Sequence, residues 1–570
     1  MFFQDFLKDR LDKILKILIK KKSISYADYQ KNTFSIEISQ KESFGDVSSN
    51  IAMVLSKLFN INPLELANLI TNELKNDNFI KNVEIVKPGF INFFFHDKFW
   101  HKYLSELMKD NLKFKFQIKK KKICVEFVSA NPTGLMHIGH ARGAVLGDSI
   151  CSLLEEVGYN ITREYYINDS GEQIKKLNKT IKFYLDNKES NCENLPDGLY
   201  PGNYLQEISK KIEYKSIDKQ SKNSEREIID LIMFDIKLDL KKLKVVHNNF
   251  VSEKNNLKND NIEILRSFLI DNDLAYYGFQ DKPKFVKDNW DKKKQLLFRS
   301  KKFGDDSDRA LIKHNGEITY FMSDIIYHKK KIERKFDTLI NIWGVDHSGY
   351  VMRLKNALSA MYKSNNPYTF EIKLTALVNL MENNKTIKMS KRSGSYITLR
   401  EVLEKVGSDP LRYMMISRSP DKKIDFDLKA VLEKTKDNPV FYIQYAYARC
   451  RSILRLSKNF FKNDLSFKES SLSKLKLKEE KFLIIHLCNF PNVIINSAIN
   501  FEPHKLANYL YDLSKNFHMY WGLGNQDEDK KIFNDKEIDL SISRLSLVLS
   551  VTKVLKKGLD LLKINSPEEM

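Results

Sequence analysis

Two imidazoles three residues apart, His137 and His140, stand in the string His-Ile-Gly-His just after the turn Asn131-Pro132-Thr133-Gly134. The almost continuously apolar run ICVEFV, from Ile123, leads into that turn, and a helical stretch from Ile138 towards Val157 leaves it. This order predicts a buried parallel strand that delivers the chain to a helix with both histidines at its N-terminus. Unpaired backbone N–H groups and the positive end of the helix dipole favour an anion there, and imidazole N–H groups add donors as charge builds on a transferring phosphorus. Gly139, Gly143 and Gly147 recur every four residues, so one helix face lacks side chains and a flat base or another backbone could approach it closely. Far downstream, KTIKMSKRSGS sets Lys388, Lys391 and Arg392 among small, polar and glycine residues. Cations on a loop able to swing onto phosphates would offset charge mainly in the transition state, where it speeds reaction. Taken singly, neither segment decides anything: a helix-end histidine also serves as a cap, and a basic loop also occurs as plain solvated surface.

Acidic residues in odd places form a second group. Glu126 interrupts the apolar strand, where a buried unpaired carboxylate is costly, so it either meets a fixed internal cation or awaits a cationic ligand. In RALIKHNGEITYFMSDIIYHKKK, Tyr320 and Asp324 lie four apart, on one face of a helix, with Asp324 among apolar neighbours. A carboxylate with a tyrosine hydroxyl offers the forked acceptors that suit a guanidinium better than a compact ammonium. Tyr320 also fits a core tyrosine, and Asp324 a helix cap.

These residues need a scaffold, and 570 residues exceed one hydrophobic core, so three domains are expected. Residues 1–118 read as a small α/β unit, with helices in SNIAMVLSKLF and NPLELANLITNEL and two strands turning at Pro88-Gly89 in VEIVKPGFINFFF. Residues 119–430 read as an α/β nucleotide-binding domain, interrupted at about 175–300 by a charged, helical insertion with few strand signals. Residues 431–570 read as a helical bundle. Its opening segment, NPVFYIQYAYARCRSILR, has Asn438 as a cap and Pro439 in the first turn, and crowds Tyr442, Gln444, Tyr445, Tyr447 and Arg449 onto one helix. Aromatics with a guanidinium suit splayed bases, although about half of such a helix must be core.

Lys and Arg number 95 against 74 Asp and Glu, a net +21, which draws a polyanion such as nucleic acid. A Lys-, Asn- and Ile-rich coding bias gives the same excess. The five cysteines form no Cys-x-x-Cys pair, so neither a structural metal such as a zinc knuckle nor a disulfide framework is expected, and a reducing cytoplasm fits. The N-terminal segment contains acids and no small-residue cleavage site, so it reads as an amphipathic helix. No stretch reads as long and apolar enough to span a bilayer, and no membrane partner is expected.

Together, HIGH (137–140) and KMSKR (388–392) resemble the paired signatures of class I aminoacyl-tRNA synthetases. VEFVSANPTG, GDDSDRALIKHNGEITYFMSDIIYH and WGVDHSGYVMRLKNAL are similar to stretches of bacterial arginyl-tRNA synthetases, as are FGDVSSNIAM near the start and INSPEEM at the end. The resemblance implies a Rossmann-like catalytic domain that activates L-arginine with ATP and Mg2+ and esterifies it to tRNA-Arg. It also implies an N-terminal domain for the tRNA elbow and a helical anticodon-binding domain. Carried over by motif, His137, Gly139, His140, Lys388, Met389, Ser390 and Lys391 bind ATP, with His137, His140, Lys388 and Lys391 catalytic. Glu126, Ser129 and Asn131 hold the amino and carboxylate end of arginine, Tyr320 and Asp324 its guanidinium, and Asp346 and His347 line the pocket. Tyr442, Gln444, Tyr445 and Arg449 meet tRNA. Many arginyl enzymes lack the second loop lysine, which here is Lys391. The family is usually monomeric and requires tRNA before activation. Alternatives are another class I synthetase or a catalytically silent tRNA-binding paralogue. Glutamyl and glutaminyl pockets should present cations instead of Glu126 and Asp324, and cysteinyl enzymes need zinc ligands.

Overall fold

The computed structural model describes residues 3–22, 34–39, 41–74, 77–109, 111–116, 118–187, 195–196, 198–200, 203–214, 224–280, 293–362, 368–382, 385–386, 397–433, 435, 437–458, 469–534 and 536–570. At the N-terminus, helix Phe3–Lys22 and helices Ile51–Phe59 and Pro63–Leu74 accompany an antiparallel four-stranded sheet. The expected pair around Pro88-Gly89 is there: Ile80–Val86 runs antiparallel to Phe90–Phe95.

The catalytic core is a parallel five-stranded sheet in the order Thr369–Thr375, Thr338–Gly344, Lys122–Glu126, Asn160–Ile167, Asn249–Ser252. The chain enters at the middle strand, Lys122–Glu126, and builds outward to one side before it returns to the other. That reversal opens a crevice between the carboxyl ends of Lys122–Glu126 and Thr338–Gly344, where ligands of such sheets bind.

Helix Ile138–Glu156 packs on this sheet. A Cβ at Gly147 would lie 2.3 Å from the Phe127 ring, and one at Gly143 would touch Ile342 at 4.0 Å. The close approach that the glycine spacing allows at Gly147 is therefore made by the protein's own Phe127 and not by a ligand.

The stretch 175–300 departs from a single helical insertion. Helices Glu172–Asp186, Asn203–Tyr214 and Ser224–Lys242 match the pattern, but Asn249–Ser252 then rejoins the main sheet at its edge. A separate antiparallel sheet follows, ordered Arg309–Ile312, Lys294–Phe298, Ala275–Phe279. NFVS is too short and polar to read as a strand because, at an edge, only one side needs a partner.

Five longer helices, Pro439–Lys458, Lys478–Cys488, Phe490–Ile499, Pro503–Gln526 and Ile538–Leu561, form the C-terminal bundle. The helical run Lys478–Ile499 reaches the length and hydropathy needed to cross a membrane, which corrects the sequence expectation that no stretch does. Within the bundle its Glu480 is buried, accepting from Tyr520 Oη at 3.1 Å and Arg544 Nε at 2.9 Å.

Because Phe127 is itself fully buried, Gly147→Ala should overpack the sheet–helix contact and cost about 1–3 kcal/mol, read as a lower urea midpoint; an unchanged midpoint would mean that the contact can relax.

Candidate active site

The helix after the first sheet strand is capped by its own histidines. His137 Nδ1 accepts from Gly139 N at 3.1 Å, and His140 Nδ1 accepts from His137 N at 3.2 Å, a reciprocal capping box. The rings stack with centroids 4.0 Å apart. Since both Nδ1 atoms accept, each neutral ring carries its proton on Nε2, the atom suited to donate to a phosphate. Of the two readings the sequence offered for these imidazoles, the structure shows the capping one directly and leaves Nε2 of each ring out of it.

Lys388, Met389, Ser390, Lys391 and Arg392 lie outside the described residues. The chain on either side is described. Lys385–Thr386 pairs antiparallel with Met381–Glu382, while Thr398 forms an antiparallel bridge to His137 and Leu399 N donates to Met136 O at 2.7 Å. The buried Arg142, on the histidine helix, donates to Ala376 O at 2.9 Å and Ser419 O at 3.0 Å. The chain from residue 397 onward therefore begins against the histidine pair.

Glu126 ends the middle strand, 5% exposed, with Oε2 2.6 Å from Lys331 Nζ. Of the two readings of this carboxylate, the fixed internal cation is the one the structure shows. Its Oε1 accepts from Ser129 Oγ at 3.1 Å, and Ser129 Oγ in turn accepts from Tyr166 N at 3.1 Å. Val128 and Ser129 reach these positions in left-handed backbone, at φ 70° and 39°, a strain of roughly 1–3 kcal/mol each that aims the serine back at the strand end. Asn131 Nδ2 donates to Gln173 at 3.0 Å.

Asp324 is not a cap. Thr319 caps helix Tyr320–Glu333, with Asp324 in the second turn and Tyr320 at the first position, 61% exposed and outside the core. Asp324 Oδ2 accepts from Tyr350 Oη at 2.7 Å. Burial pushes its carboxyl up to about 7 against that hydrogen bond, and the negative charges of Glu126 and Glu253 add to the rise. Asp346 and His347 follow the carboxyl end of strand Thr338–Gly344, both well exposed and 3.4 Å apart.

Several residues gave no signal in the sequence. Glu253, in the polar string SEKNN, is 3% exposed and accepts from Ser323 Oγ at 2.5 Å and Ser170 Oγ at 2.8 Å. Among the described residues no cation pairs with it. Tyr166 joins the group through Ser323 at 3.1 Å, and its hydroxyl feels Glu253, Asp324 and Glu126. Beneath them Glu164 is gripped by Arg334 at 2.6 and 2.9 Å and by Tyr327 at 2.7 Å. Burial would raise its pKa, but Lys331 and Arg334 hold it down to about 2.

On the C-terminal bundle, the Arg449 guanidinium lies over Tyr445 at 4.5 Å and Trp521 at 3.8 Å and donates to Tyr445 Oη at 2.6 Å. Tyr442 and His518 close the cluster with centroids 4.6 Å apart. Tyr447 is core. Gln444 stands apart from the group: its amide donates to Asp409 Oδ2 at 3.1 Å, across to the catalytic domain, and to Asn565 O at 2.9 Å. Asn438 spends its amide on Val431 O and Glu433 O.

The parallel sheet with its switch-point crevice, and the strand whose following helix is capped by paired histidines, lie in the stretch that matches a class I aminoacyl-tRNA synthetase catalytic domain. Residues 103–432 match the family model for the tRNA synthetases class I (R) catalytic domain, 5–95 that for the arginyl tRNA synthetase N terminal domain, and 443–570 that for the DALR anticodon binding domain. The chain is 40% identical to the arginine–tRNA ligase of Ehrlichia chaffeensis over 98% of its own length and 97% of that protein's, and 39% identical to that of Agrobacterium fabrum over 100% and 99%. The arginyl-tRNA synthetase structure from Thermus thermophilus has the same fold, with a TM-score of 0.72 at 20% identity over 95% of this chain and 96% of that one. The chain belongs to the arginyl-tRNA synthetase family.

A cation bound beside Asp324 favours its ionised form, so binding below pH 7 must release the proton that burial retains there. Arginine affinity should be flat above about pH 8 and fall up to tenfold per unit below about pH 6, measured by calorimetry; a flat profile from pH 5 to 8 would remove Asp324 from the binding site.

Proposed function

We propose that this chain is an arginine–tRNA ligase that works by the family's two-step reaction, with the residues above in distinct roles. In the first step a carboxylate oxygen of L-arginine attacks the α-phosphorus of ATP and pyrophosphate leaves, giving arginyl-adenylate. In the second a terminal ribose hydroxyl of tRNA-Arg attacks the acyl carbon and AMP leaves. His137 and His140 donate to the phosphates from the helix N-terminus, beside Gly139, and Lys388 and Lys391, with Met389 and Ser390, offset the charge on the pentavalent phosphorus. Magnesium arrives with the nucleotide; among the described residues no group of His, Cys, Asp or Glu is arranged to hold a metal ion.

Asp324 and Tyr320, one turn apart on a single helix, receive the guanidinium, with Glu253 as a second carboxylate. Ser129, Asn131 and the Lys331-paired Glu126 take the amino and carboxylate end, and Asp346 and His347 edge the pocket. Tyr442, Tyr445 and Arg449 stack against anticodon bases. The enzyme acts as a monomer in the cytoplasm.

The observation that carries this reading is the pair of carboxyls Asp324 and Glu253, bonded to hydroxyls and to no cation among the described residues, while the lysine beside them is taken by Glu126. A cationic side chain supplies the balance, whereas glutamate or glutamine does not. Charging total tRNA with each of the twenty amino acids should esterify arginine alone. Esterification of a different amino acid would identify another class I synthetase, and no esterification at all a silent tRNA-binding paralogue.

A further inference from the structure

The helix that presents the two imidazoles is gripped at its middle by charges that take no part in the chemistry above. Asp148, fully buried on helix Ile138–Glu156, accepts from Arg163 Nη1 at 2.9 Å, Arg412 Nη2 at 2.8 Å and Lys563 Nζ at 2.6 Å. The three cations come from three places: strand Asn160–Ile167, helix Ser408–Ile416, and the tail beyond helix Ile538–Leu561.

Arg412, also fully buried, spends Nε on Leu562 O at 2.8 Å and Nη1 on Leu243 O at 2.9 Å. These carbonyls sit at the C-terminal ends of helices Ile538–Leu561 and Ser224–Lys242, where orphan acceptors and the negative dipole end attract a cation. One guanidinium thus joins a helix of the C-terminal bundle, a helix of the catalytic domain and the carboxylate on the histidine helix. Arg412 and Arg163, the latter shared with the half-exposed Glu155 at 2.6 Å, already meet the Asp148 carboxylate from inside the fold. Lys563, with its side chain 27% exposed, is a third cation that burial of the carboxylate does not require. The helix before this tail is tied in by Lys557 to Glu156 at 2.7 Å, and the tail itself by Lys244, which reaches Asn565 at 3.0 Å and Asp409 at 2.9 Å.

A helix is stiff along its axis, and Asp148 lies about 16 Å from His137 at roughly 1.5 Å per residue. A shift of the carboxylate is carried to the imidazoles, where errors of an ångström are felt in the rate. We propose that Asp148, Arg412 and Lys563 form a positioning cluster through which the C-terminal helical domain sets the placement of His137 and His140 against the reacting phosphate. The proposal rests on the arginine–tRNA ligase reading above, for which wild-type charging in the same assay is the control.

The test is steady-state arginylation by the full chain with Lys563→Met, Lys563→Arg, Asp148→Asn, and Asp148→Asn combined with Lys563→Met. Lys563→Met should lower kcat about tenfold with the KM values for arginine and ATP within about twofold, and Lys563→Arg should restore most of the loss. In the Asp148→Asn background, Lys563→Met should have no further effect, because the two residues act as one unit. A Lys563→Met enzyme with wild-type kcat, or equal losses in both backgrounds, overturns the proposal. If Asp148→Asn does not fold, Lys563→Met against Lys563→Arg still decides, with thermal melting as the check. A loss of kcat that tracks a fall in melting temperature and is not rescued by arginine marks a merely structural contact and also overturns it.

Discussion

A carboxylate cannot stay ionised out of water without a cation, and the cleft meets that constraint in two opposite ways. At Glu126 the cation is internal: Lys331 reaches it at 2.6 Å from the next-but-one turn beyond Asp324 on the same helix. At Asp324 the side-chain partner among the described residues is the Tyr350 hydroxyl, and the cost of burial shows as a carboxyl raised to about 7. Breaking a buried pair such as Glu126–Lys331 costs roughly 3–5 kcal/mol, so Lys331 is committed to the fold and is no substitute for a ligand at Asp324. One helix therefore carries both the internal cation and a buried carboxylate that no cation bonds among the described residues.

The phosphate end depends on a different economy. The histidines satisfy backbone N–H groups of their own helix through Nδ1, which fixes both rings before any nucleotide binds. Rings held this way need little reorganisation when charge develops. Their helix is in turn held from below, by Phe127 against Gly147 and by the ion cluster at Asp148, and from the side by Arg142 on two loop carbonyls. Few of the groups that fix the site therefore touch a substrate.

What the sequence made legible was whatever local spacing determines. The strand–turn–helix around His137 could be read because apolar run, Pro-Gly turn and glycine period occupy one short stretch. The Tyr320–Asp324 pair could be read because four residues make a helix turn. Glu126 could be read as anomalous but not as paired, since Lys331 is joined to it only by the fold. Glu253 and Tyr350 left no trace, because a glutamate in SEKNN looks like any solvated residue until burial and Ser323 give it meaning. The partners of Gln444 were hidden for the same reason, since Asp409 and Asn565 are far away in sequence. The edge strand Asn249–Ser252 escaped because its pattern carries no period.

The central claim is that net negative charge in the cleft selects a cationic side chain. Citrulline keeps the shape of arginine and replaces the guanidinium with a neutral urea, so comparing the dissociation constants of the two by calorimetry at pH 8 isolates charge from fit. The account predicts that citrulline binds weaker by at least about a hundredfold, near 2.7 kcal/mol. Equal binding of the two would contradict it.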